Sequence, residues 1–73
     1  MAFQVVELTL DTDDNVINRK VIPYPYPTRD EAVDTIESVL LRHAESGYET
    51  EGDFWWAASS DGKTRIRFLI EGI

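Results

Sequence analysis

A chain of 73 residues without cysteine, 42% of it apolar and 29% charged, excludes a disulfide scaffold, a thiolate metal site and a disordered chain. Residues 1–73 read as one domain with a small core, because at this size folding removes only about 60% of the unfolded surface from water. The net charge of -7 repels phosphate backbones and anionic lipid at long range.

No run of about 18 apolar residues is present to span a bilayer, so no membrane partner is expected. The start MAFQVVELTL lacks the basic stretch and small-residue cleavage site of a signal peptide, which makes a cytoplasmic location the expectation.

FQVVELTL, residues 3–10, alternates as a first strand with Val6, Leu8 and Leu10 on one side and Phe3, Val5, Glu7 and Thr9 on the other. DTDDN, residues 11–15, is a polar turn cluster, after which VINRKVIPYPY returns as a second strand. Pro23, Pro25 and Pro27 cannot donate to a ladder, so the Tyr24/Tyr26 end of that strand is expected at a sheet edge or outside the sheet.

A helix over residues 29–46 follows. Thr28 and Glu31 have the spacing of a capping box, and Asp30 and Glu31 suit the positive end of the helix dipole. Ala32, Val33, Ile36, Val39, Leu40, His43 and Ala44 recur at spacings of three and four, and Gly47 supplies a left-handed stop after which Tyr48 folds back on the last turn.

DFWWAASSDGKTRIRFLIEG, residues 53–72, is a hairpin about Asp61-Gly62. In its last strand Ile66, Phe68 and Ile70 face the helix, and Arg65, Arg67, Leu69 and Glu71 face away. Two registers are open. A two-residue turn sets Trp55 opposite Phe68 and Trp56 opposite Arg67; a Gly62 bulge sets Trp56 opposite Ile66 and Trp55 opposite Arg67. The bulged register is favoured, because it buries Phe54, Trp56 and Ala58 while turning Asp53 and Ser59 outward. In either register the two indoles part to opposite faces.

The elements form an α+β, two-layer β-β-α-β-β domain: a four-stranded mixed sheet with one helix on one face. The first and last strands, apolar on both sides, are expected to be central and parallel in order 2-1-4-3, with 2-1-3-4 as the alternative. On element order alone this resembles the β-grasp arrangement of ubiquitin-like and immunoglobulin-binding domains. Too few residues remain to cover the second face, which is expected to carry Trp55, Arg65, Arg67, Leu69, Phe3 and Val5. Tyr24 and Tyr26 form a secondary aromatic edge or pack under the helix start. An arginine stacked on the exposed indole would stabilise it by about 0.5–1 kcal/mol without any partner.

Chemistry has little to work with. His43, the single histidine, lies on the apolar stripe, and no nucleophile-elbow sequence surrounds Ser38, Ser46, Ser59 or Ser60, so neither catalysis nor a cofactor is expected. Asp11, Asp13 and Asn15 echo a calcium loop, but Val16 stands where glycine is needed and Ile22 where glutamate is needed, so no metal is expected. Lys63, Arg65 and Arg67 beside an indole resemble a single-strand nucleic-acid platform, although three cations are thin for a chain of this charge. Asp11, Asp13, Asp14, Glu31, Asp34, Glu37 and Glu45 could mimic phosphates toward a nucleic-acid enzyme, and a solvated surface explains them equally well. The expected function is a non-catalytic protein-protein interaction module working through the open face, with a protein partner of unknown identity or a homodimer.

Overall fold

The computed structural model describes residues 2–22 and 24–73. Its strands are β1 (Phe3–Leu10), β2 (Val16–Val21), β3 (Glu45–Glu49), β4 (Phe54–Ala58) and β5 (Arg65–Gly72), and its helix is α1 (Arg29–Leu40). All five strands join one sheet in the order β2-β1-β5-β4-β3, and every pairing is antiparallel. α1 lies on the face that carries Val5, Trp55, Ala57 and Phe68, packing Ala32, Ile36 and Leu40 against them. No helix among the described residues is long and apolar enough to cross a membrane.

The expected four-stranded mixed sheet is corrected to five antiparallel strands. The first and last strands are indeed central, but they run in opposite directions, with Val5 opposite Ile70 and Leu10 opposite Arg65. β3 is the cause. One added strand between the helix and the hairpin reverses everything after it, so the parallel centre of a β-grasp sheet does not form.

α1 begins as its sequence dictates. Thr28 adopts extended backbone, and its hydroxyl accepts the Glu31 N–H at 3.3 Å, satisfying one of the free amides of the first turn. Its end comes earlier than the expected residue 46. After Leu40 the bonds tighten to Arg42 N–H onto Val39 O and His43 N–H onto Leu40 O, and residues 45–49 leave to pair with β4. The competing interaction is sheet pairing: without β3, β4 would present a bare edge beside its aromatic residues. Tyr48 accordingly rests on Trp55, with ring centroids 4.7 Å apart, and not on the last helical turn.

The β4–β5 hairpin combines features of both expected turns. Gly62 is left-handed at φ 71 and its N–H closes a turn onto Ser59 O, as in the bulged form. Ser59 N–H nevertheless pairs with Thr64 O, which retains the register of the two-residue form: Trp55 opposite Phe68 and Trp56 opposite Arg67. Side chains make the difference. Asp61 Oδ1 accepts the Lys63 N–H and the Ser59 hydroxyl, and Ser59 Oγ accepts the Thr64 N–H, so Lys63 is held inside the loop. Trp55 therefore enters the core and Trp56 faces outward, the reverse of the favoured expectation.

Pro23 lies outside the described residues. Tyr26 rejoins β1 through paired backbone bonds to Phe3, both at 2.8 Å, and is buried, whereas Tyr24 is 59% exposed. The aromatic edge is thus divided, with Tyr26 in the core and Tyr24 in solvent.

Burial separates the two tryptophans energetically. Trp55→Ala leaves a large cavity under α1 and costs about 3–5 kcal/mol, enough to unfold much of a domain this small at 25 °C, while Trp56→Ala costs about 1–2 kcal/mol and leaves it folded. Urea unfolding followed by circular dichroism measures both, and equal losses would contradict the register.

Candidate functional site

The candidate site is the sheet face turned away from α1, and its content follows from strand register. Side chains alternate, so each outward residue shares a row with its cross-strand partners. The middle row runs Arg19, Leu8, Arg67, Trp56 and Gly47 from β2 to β3. On one side lies Leu10, Arg65, Ala58 and Glu45, beginning at Val16. On the other lie Val21, Val6 and Leu69, with the Phe54–Glu49 pair beyond them. Val6, Leu10 and Ala58 are closed off by their neighbours, while Leu8, Leu69, Phe54 and Trp56 remain half-buried. Among the described residues no helix or strand lies over this face.

Two glycines let its aromatic rings lie flat. A Cβ on Gly47 would stand 2.8–2.9 Å from the Trp56 indole, and one on Gly52 would stand 2.6 Å from the Phe54 ring. Each ring rests on bare backbone. Gly47 therefore serves close approach, where the sequence suggested a helix stop.

The charged groups fall into two kinds. Arg65 donates to Asp14 Oδ1 at 2.7 Å and Arg19 to Glu71 Oε1 at 3.4 Å, so these cations are answered within the chain. Arg67 is not: its guanidinium lies 4.7 Å from the centre of the Phe54 ring, and among the described residues it has no ion pair. Glu45 and Glu49, on either side of Gly47 along β3, likewise have no ion-pair partner among the described residues. A groove of about 290 Å³ opens between Trp56, Phe54, Arg65 and Arg67, with Ala58 and Leu10 along its floor and Glu45 and Asp14 at its rim.

Of the residues expected on this face, Arg65, Arg67 and Leu69 are there. Trp55, Phe3 and Val5 are on the helix side: Val5 is fully buried opposite Ile70, and Trp55 is 6% exposed in the core cluster. Their places are taken by Trp56, Phe54, Val6 and Leu8. The alternation of β1 already separated the Val5 set from the Val6 set; only the β1–β5 register, a long-range pairing, decides which set faces the helix.

The acidic turn is largely accounted for internally. Asp11 Oδ1 accepts the N–H groups of Asp13 and Asn15, both at 2.9 Å, and these bonds hold its carboxyl below the usual carboxylate range. Among the described residues no group of three or more His, Asp and Glu side chains could hold a metal ion. His43 follows α1 in a turn and does not line the groove.

A second cluster anchors the aromatic half of the sheet to the helix start. Asp53, left-handed at φ 50, accepts from Arg29 Nη2 at 2.9 Å and from the Tyr48 hydroxyl at 2.6 Å. Arg29 also stands 5.5 Å from the Trp55 ring centre. The contacts tie α1, β3 and the β3–β4 turn together.

No family model, curated protein or solved structure matches this chain.

The bond to Asp53 raises the Tyr48 phenol above its ordinary value near 10.0. A raised value in the folded state contributes stability that is complete below the unfolded value and lost as pH climbs through the folded one. An alkaline titration of ring-carbon-labelled tyrosine should show Tyr48 ionising late, and Asp53→Asn should bring it down. An unmoved Tyr48 would contradict the bond.

Proposed function

We propose that this protein is a non-catalytic interaction module that binds a protein partner through the sheet face around Trp56, Arg67, Leu8 and Leu69. One observation carries the reading: a face that is apolar along its centre, uncovered by any described element, holds a cation and two carboxylates left unanswered within the chain. Charges that stay unpaired beside half-buried aromatics are the groups a partner can satisfy as it excludes water, and aromatic and arginine residues are enriched at such contacts.

Nucleic acid fits less well. Arg65 is neutralised by Asp14, which leaves Arg67 as a single cation, and Glu45 and Glu49 flank the indole where a phosphate backbone would pass. Phosphate mimicry is weakened in the same way, because Asp11 and Asp14 are engaged within the chain.

Affinity capture from the source cell with three baits tests the reading. Wild type and a variant altered on the exposed side of α1, Asp34→Lys/Glu37→Lys, should retain the same protein, and Trp56→Ser/Arg67→Ala should lose it. Retention by the sheet-face variant together with loss by the helix variant would overturn the assignment.

A further inference from the structure

We infer that the partner for this face is a second copy of the chain, docked face to face about a two-fold axis that runs along β4 through Trp56. This inference rests on the outer face being the contact surface.

The arrangement follows from the order of one row. Arg67 and Gly47 are the two cross-strand neighbours of Trp56, one on β5 and one on β3. Rotation by half a turn about an axis parallel to β4 exchanges the β5 and β3 sides while preserving position along the strands. Arg67 of one copy then lies over Gly47 of the other. Across Gly47 lies the indole of Trp56, and two residues away along β3 in each direction stand Glu45 and Glu49. By turning off the Phe54 ring of its own chain, each guanidinium then reaches an indole face bordered by two carboxylates, twice over by symmetry. Cation-π contact with Trp is the strongest of its kind, and charge-assisted bonds to carboxylate add to it.

The alternative axis, across the strands, is excluded by charge. It would set Arg67 against Arg67 and Glu45 against Glu49. Only the strand-parallel axis pairs the face's unanswered cation with its unanswered anions, and an isologous contact requires this kind of self-complementarity.

Size sets the strength. Three strands about 4.8 Å apart and five residues long at about 3.4 Å each present roughly 250 Å² of projected area. That is well below the ~800 Å² per partner of a standard interface, so the dimer is weak and reversible. The net charge of -7 on each copy opposes approach at long range but is screened beyond about 8 Å at physiological salt.

Sedimentation of the purified full chain at physiological salt, from about 10 μM to about 2 mM, reads the association. Wild type should pass from monomer to dimer across that range. Arg67→Glu and Glu45→Lys/Glu49→Lys, both surface changes, should each associate at least about tenfold more weakly, since each sets like charges across the axis. Mixed one to one, the two variants should associate again, because each contact then pairs opposite charges. Circular dichroism checks that both variants are folded, and Arg67→Gln with Glu45→Gln/Glu49→Gln replaces any that is not, each neutral variant again weakening the dimer. A wild type that stays monomeric to the top of the range, a dimer indifferent to these residues, or a mixture no stronger than its components would overturn the second copy as partner. The surface itself stands or falls separately, on the three-bait capture.

Discussion

The outer face of the sheet is organised by one contact, the Trp56 indole lying on the bare backbone of Gly47. It covers the middle of the ladder by which β3 pairs with the outer edge of β4, and β3 is the strand that sets the character of the sheet. With it in place, α1 ends at Leu40, β5 runs antiparallel to β1, and the indole has a surface to cover instead of projecting alone into water. Any side chain at position 47 would compete with the ring for the same space.

That contact also distributes charge on the sheet. Glu45 and Glu49 flank Gly47, so the strand that receives the indole is acidic on the same face, while the strand on the other side of β4 contributes Arg65 and Arg67. Acidic and cationic sides of one aromatic strand make the face polarised from edge to edge. On the opposite face there is no such division: Val5, Phe68, Trp55 and Ala57 close on Ile36 and Ala32 in a dry core, and its polar neighbours Arg29, Asp53 and Tyr48 satisfy one another at the rim. The two tryptophans accordingly have different duties, one filling the core and one shaping the surface.

Legibility in the sequence followed the range of the interaction. The cap at Thr28, the stripe through Ile36, the left-handed Gly62 and the inward Ile66, Phe68 and Ile70 are settled within a few residues and could be read directly. Gly47 could not, because after an amphipathic run a glycine is an equally good helix stop or a platform for a distant ring, and only the ring's position decides. The hairpin register turned on Asp61, whose side chain captures Ser59 and Lys63 and keeps one more residue in the loop than a glycine bulge alone would. Facing of Val5 against Val6 depended on β1 meeting β5 across some sixty residues of chain, which no local pattern encodes. For the same reason Arg65, Arg67 and Leu69 lie on the outer face as expected, whereas Trp55, Phe3 and Val5 lie on the helix side.

The placement of the indole on Gly47 can be observed through the ring current it exerts. In a proton NMR spectrum of the folded chain, the Gly47 α-protons should be shifted strongly upfield and show cross-relaxation to the Trp56 ring, and both effects should vanish in Trp56→Ala with the fold retained. Gly47 α-protons at ordinary positions in the wild type, without contact to that ring, would contradict the fifth strand, the register and the polarised face together.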